Sequence, residues 1–169
     1  MSSEHTPSEQ ELRDLAEELG ACMKAKGVKL ASAESCTGGW LAKIITDIPG
    51  SSQWFTGSVV CYSNESKVSL LGVDANSLEE FGAVSGETVM EMADGLFSHT
   101  DADVVVGVSG IAGPDGGSDD KPVGLVWLSW GKRDKSVYAK PFNFDGDREA
   151  VRKQSIAKAL NNLLDLLVC

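Results

Sequence analysis

The chain has 169 residues, 42% of them hydrophobic and 24% charged, which is the length and composition of one globular domain rather than a disordered segment. Fifteen Lys and Arg against 25 Asp and Glu leave a net charge of −10, which argues against nucleic acid or an anionic membrane as a partner, since both demand a basic surface. No apolar run approaches the ~18 residues of a membrane span, and the polar stretch Met1–Gln10 gives no secretory signal. A single cytoplasmic domain over residues 1–169 is expected, with 1–7 disordered.

In chain order, Ser8 with Glu11 forms a capping-box pattern, followed by Leu12, Leu15, Leu19, Cys22 and Met23 at helical spacing, with Gly27 as the stop. A short strand is expected at Leu30–Ala33. A helix marked by Trp40, Leu41, Ile44 and Ile45 should end at Pro49-Gly50. Ser58–Tyr62 reads as a second strand. Ser63 caps a helix bearing Val68, Leu70 and Leu71, and Ser85 caps another reaching Phe97. The Val-rich run Asp103–Val108 reads as a buried strand of parallel type. Gly124–Trp130 and Ser136–Phe144 form a hairpin around Gly131, and a final helix follows Asp145-Gly146-Asp147 with Val151, Ile156, Leu160, Leu163, Leu164 and Leu167 on its stripe. Leu163, Leu164 and Leu167 at its end suit either core or an interface. This order predicts an α/β fold, a mixed sheet with helices on both faces. Ligands of such sheets bind beyond the carboxyl ends of the strands, where two glycine-rich turns fall.

The residue inventory narrows the chemistry. Cys22, Cys36, Cys61 and Cys169 share no CxxC spacing and are expected to be reduced thiols rather than a disulfide framework or zinc site. His5 and His99 are too few and too separate for a histidine triad or a histidine metal site, so hydrolytic chemistry would need another base. In Ser35-Cys36-Thr37-Gly38-Gly39 the glycines let backbone amides approach a ligand, and Ser35 could be a nucleophile with Thr37, Gly38 and Gly39 amides as its oxyanion hole; the same residues also suit a plain strand-to-helix turn. Lys67 falls in the first turn of the helix capped by Ser63, where a cation opposes the dipole. Neutralising an ordinary lysine at pH 7 costs about 4.6 kcal/mol. Burial and the dipole would offset much of that, leaving an amine able to serve Ser35 as base; a solvated lysine is the alternative. In the second glycine turn, Ser109, Gly110 and Gly113 are expected to line the site, with Asp115, Asp119 and Asp120 as a flexible wall rather than a metal loop. Arg148 has the fork for a phosphate or carboxylate, or pairs with Asp145 or Asp147. The four tryptophans read as core.

Taken in order, Ala33-Glu34-Ser35-Cys36-Thr37-Gly38-Gly39, Tyr62-Ser63-Asn64-Glu65-Ser66-Lys67, Gly82-Ala83-Val84-Ser85, Ser109-Gly110-Ile111-Ala112-Gly113-Pro114 and Gly146-Asp147-Arg148 resemble the CinA C-terminal-domain family from about Glu11 to Leu166. The resemblance implies a three-layer α/β/α sandwich with a mixed, mostly parallel sheet. It also implies hydrolysis of the carboxamide of nicotinamide mononucleotide to nicotinic acid mononucleotide and ammonia by a Ser/Lys mechanism. It places the nucleophile on Ser35, the base on Lys67, and supporting roles on Tyr62, Thr37 and Arg148. No metal or organic cofactor is expected, and the small-molecule substrate is the partner. The family's habit of self-association implies a homo-oligomer, a dimer first. A non-catalytic module that binds the same nucleotide is the rival reading, and ammonia release separates the two. Cys36 is the fallback nucleophile, without a histidine beside it.

Overall fold

The computed structural model describes residues 5–169. Of the segment expected to be disordered, residues 1–4 lie outside the described residues, whereas Pro7 is buried and the His5 ring sits 2.9 Å from the Glu11 carboxylate. Ser8 and Glu11 form the capping box that starts α1 (Glu9–Lys26), and Gly27, in the left-handed region at φ +65°, ends it. There follow β1 (Leu30–Glu34), α2 (Trp40–Thr46), β2 (Phe55–Val60), α3 (Asn64–Leu71), α4 (Ala75–Phe81), α5 (Gly86–His99), β3 (Val104–Gly110), β4 (Leu125–Lys132), β5 (Val137–Asn143) and α6 (Arg148–Leu167).

The strands lie in the order β2-β1-β3-β4-β5. β1 pairs parallel with both β2 and β3, and β4 runs antiparallel to both its neighbours, so β4 alone points the other way. Every residue of β1 is buried, as is nearly all of β3, because helices cover both faces. Alternation along β3 divides the core. Val104, Val106 and Val108 join Leu12, Leu19, Leu41, Ile45, Leu160 and Leu163 of α1, α2 and α6. Val105 joins Leu71, Val89, Met92 and Leu96 of α3 and α5 on the other face. This is the three-layer α/β/α sandwich that the sequence predicts.

Three details depart from the sequence reading, and one that it left open is decided. Helix α4 is additional: Asp74 caps it, but none of its residues is buried, so it carries no apolar stripe to read. β2 starts earlier, at Phe55, and α2 stops at Thr46, before Pro49-Gly50. Leu163, Leu164 and Leu167 are buried, so the end of the last helix is core. Cys22 and Cys169 are not reduced thiols but a disulfide with Cα atoms 6.0 Å apart, because α1 and α6 lie side by side; a separation of 147 residues in sequence hides that proximity.

Register then sets the site. Glu34, the last residue of β1, pairs with Val60 of β2 on one side and Val108 of β3 on the other. The three strands therefore release their chains at one level, which brings 35–39, 61–63 and 111–124 together at the carboxyl edge of the sheet.

Candidate active site

Ser35 leaves β1 with its amide bonded to Val108 O (3.0 Å) and its side chain nearly covered. Lys67 reaches it from α3. Ser63 caps that helix through the Ser66 amide, and the Lys67 amide donates to Ser63 O, which puts Lys67 in the first turn. Its side chain is 1% exposed. Nζ lies 3.0 Å from Ser35 Oγ and bonds the carbonyls of Cys61 (2.9 Å) and Tyr62 (3.1 Å). No carboxylate of the described residues pairs with it, so burial pushes its pKa down from the ordinary lysine value. The contact set matters chemically. A neutral amine has two N–H groups and one lone pair. In that form the two carbonyls would take the two N–H groups and leave the lone pair for the Ser35 hydroxyl, whereas the charged form donates to all three oxygens.

The pocket over this pair has a volume of about 270 Å³. Ser35, Tyr62, Lys67, Ser109, Gly110, Gly113 and Arg148 all line it, seven sequence-predicted residues drawn from four parts of the chain. Arg148, the first residue of α6, donates to Gly113 O (2.8 Å) and to the Tyr62 hydroxyl (3.1 Å). It bridges the second glycine turn to the 61–63 loop rather than pairing with Asp145 or Asp147. Asp147 is instead the N-cap of α6, accepting from Ala150 N. The Tyr62 ring is 61% exposed at the mouth, and its contact with Lys67 runs through the backbone carbonyl. Ser109 is turned aside to Ala83 O at 2.7 Å.

Thr37, Gly38 and Gly39 are not in the pocket lining, and the reason is Glu34. This carboxylate is wholly buried under the turn and accepts from the Thr37 hydroxyl (2.7 Å), Leu41 N (2.9 Å), Ala42 N (3.0 Å) and the Ser58 hydroxyl (3.2 Å). Gly39, at φ +96°, occupies the N-cap position without a capping side chain, and Glu34 caps α2 from five residues upstream. The amino end of α2 is thereby used up and offers nothing to a substrate phosphate. The Gly38 amide is also committed, to Ser35 O at 3.0 Å. The amides of Cys36 and Thr37, directly after Ser35, donate to no described residue.

Sequence reading missed Glu34 and Arg152. Arg152 stands one turn after Arg148 on α6 and donates to Cys36 O (3.1 Å) and Thr37 O (3.0 Å), with its guanidinium 4.9 Å from the centre of the Trp40 ring. The i, i+4 spacing from Arg148 was the available signal. Of the tryptophans, Trp54 and Trp130 are core, while Trp40 lines a second hollow of about 850 Å³ that shares Arg148 and Ala112 with the catalytic pocket. Cys36 is buried and its thiol is pushed up to about 12 by that burial, which disfavours the thiolate. No group of three or more metal-ligating side chains occurs among the described residues, and no described helix is long and apolar enough to cross a membrane.

Residues 12–167 match the family model of the CinA C-terminal domain. The chain is 53% identical over 157 residues to nicotinamide-nucleotide amidohydrolase PncC of Enterobacter agglomerans, covering 93% of this chain and 96% of that protein. It is 49% identical over 156 residues to the protein of the same name from Escherichia coli K12, covering 92% and 94%. Among solved structures, the competence/damage inducible protein CihA from Agrobacterium tumefaciens superposes with a TM-score of 0.90 at 37% identity, covering 98% of this chain and 99% of that one.

Proposed function

The chain belongs to the CinA C-terminal domain family, and from that premise we propose that it hydrolyses the carboxamide of nicotinamide mononucleotide. The observation that carries the reading is the buried Lys67 amine 3.0 Å from Ser35 Oγ, with its two other contacts both to carbonyls. The names of relatives aligned over more than nine-tenths of this chain supply the substrate.

Ser35 Oγ attacks the carboxamide carbon as its proton passes to Lys67 Nζ. The tetrahedral oxyanion is held by the free amide of Cys36, which lines the pocket beside Ser35. The C–N bond breaks, Lys67 returns the proton, and ammonia leaves an ester on Ser35. Water, deprotonated by the same amine, cleaves that ester and releases nicotinic acid mononucleotide. Proton transfer by a placed base contributes ~10²–10⁴ in rate. The donors at an oxyanion contribute ~10²–10³ each. Arg148, whose guanidinium faces the pocket between Gly113 and Tyr62, is the group for the anionic end of the substrate. Every role falls to a side chain or amide of the chain itself, so the reading requires no metal or organic cofactor.

The test is ammonia release from nicotinamide mononucleotide. Ser35→Ala and Lys67→Ala are each expected to lower kcat at least 10³-fold with the fold unchanged by circular dichroism. Turnover by Ser35→Ala within tenfold of the unaltered protein would overturn the mechanism. Tight nucleotide binding without ammonia from the unaltered protein would instead make it a binding module.

A further inference from the structure

Resting on that amidase reading, we infer that Arg152 is a positioning residue for the reaction, acting through the peptide planes after Ser35 rather than on the substrate.

The argument starts from peptide geometry. In a trans peptide the C=O and N–H point in opposite directions. Arg152 Nε holds Cys36 O, so the Thr37 N–H of the same plane must point away from the guanidinium. Arg152 Nη2 holds Thr37 O, so the Gly38 N–H also points away, and there it closes the turn onto Ser35 O at 3.0 Å. Two donors of one rigid fork thus fix the planes 36–37 and 37–38, and through the Gly38 bond to Ser35 O they also hold plane 35–36, which carries the Cys36 N–H. Gly38 (φ +59°) and Gly39 (φ +96°) would otherwise leave this stretch among the most freely rotating in the chain. The fork is itself held. Its guanidinium lies over the Trp40 ring at 4.9 Å, and its backbone is in the second turn of α6. Glu34 pins the same turn from beneath through the Thr37 hydroxyl.

The competing role is recognition of the substrate's phosphate, since Arg152 also lines the hollow beside Arg148. The contacts favour positioning: its two bonds go to the carbonyls of Cys36 and Thr37, and Arg152, unlike Arg148, does not line the pocket over Ser35. The two roles predict opposite kinetics. A donor that is misaimed only when charge develops on the carbonyl oxygen lowers kcat and leaves substrate binding alone.

The experiment compares the unaltered protein with Arg152→Lys and Arg152→Met. It measures kcat and KM for nicotinamide mononucleotide, and inhibition by pyridine-3-carboxaldehyde mononucleotide, whose hemiacetal with Ser35 imitates the tetrahedral state. Arg152→Met is expected to lose 10²-fold or more in kcat with KM within threefold, and to bind the aldehyde more weakly by a matching factor. Lysine keeps the charge but not the fork, so Arg152→Lys is expected to lose at least tenfold in kcat and to melt within a few degrees of the unaltered protein. A rise in KM with kcat preserved, or near-full rescue by Arg152→Lys, overturns the inference in favour of a phosphate contact. A kcat loss with aldehyde affinity unchanged overturns it as well. Absence of turnover by the unaltered protein defeats the amidase reading first and this inference with it.

Discussion

Lys67 is a buried amine with no carboxylate partner among the described residues, and its behaviour with pH follows from that. Burial lowers its pKa in the folded chain, whereas the unfolded chain has the ordinary value. Between the two values the unfolded state binds more protons, so this residue makes stability rise with pH across that window and withdraws it as pH falls below the folded pKa. The melting temperature of Lys67→Met minus that of the unaltered protein is therefore expected to shrink from pH 6 to pH 9; a difference independent of pH would mean the amine does not titrate there. Activity should follow the same titration, with kcat/KM falling on the acid side as the amine gains its proton. Lys67→Arg should be as inactive as Lys67→Ala, because a guanidinium stays charged at any workable pH. Cys36 makes a contrast one residue from the nucleophile. With its thiol near 12, about one molecule in 10⁴ is thiolate at pH 8, so iodoacetamide should leave Cys36 unlabelled and Cys36→Ser active within a fewfold. The Ser35–Lys67 pair was legible in sequence because each residue has a local oddity: a hydroxyl ahead of paired glycines, a cation in a first helical turn. Arg152 has only its spacing one turn after Arg148. Its meaning is a contact across more than a hundred positions, and only packing supplies it.

At the level of elements, the turn after β1 is built around a carboxylate that serves as a cap. Glu34 takes two α2 amides and two hydroxyls while remaining wholly enclosed. In Glu34→Gln an amide NH₂ must face two of those four donors, because each carboxylate oxygen accepts two. With hydrogen bonds to a charged acceptor at about 1.5–3 kcal/mol each, the loss of stability is expected in that range by urea unfolding. Helix α3 depends on another close fit. Gly95 of α5 passes so near the Leu71 carbonyl at the end of α3 that an added methyl would meet it well inside contact distance. Gly95→Ala should push α3 outward, costing about 1–3 kcal/mol and moving Lys67 away from Ser35, so activity and stability fall together. Periodicity and capping residues made most elements legible, since each buries one face against the sheet. They failed at α4, which buries nothing, and blurred the start of β2, whose residues are only half-covered.

Over the whole molecule, α6 joins the edge that carries Ser35 and Lys67 to the far edge. Its first two turns carry Arg148 and Arg152; its last is followed by Cys169, bonded to Cys22 of α1. At 1.5 Å per residue its 20 residues span about 30 Å, so the chemistry and the disulfide occupy opposite ends of one rod. A cross-link closing so long a loop stabilises by up to about 4–5 kcal/mol, chiefly by restricting the unfolded chain. Dithiothreitol or Cys22→Ser is therefore expected to lower the melting temperature while leaving kcat and KM unchanged at 25 °C. A change in kcat on reduction would show that the rod transmits strain to the catalytic edge.

The covalent bond also changes what kind of object the polymer is. With its carboxyl end fastened back onto its first helix, the chain from Cys22 onward is a closed ring with a short tail. A single proteolytic nick anywhere in that ring leaves the two fragments joined, so nicked protein should run as one species until a reductant is added and as two afterwards.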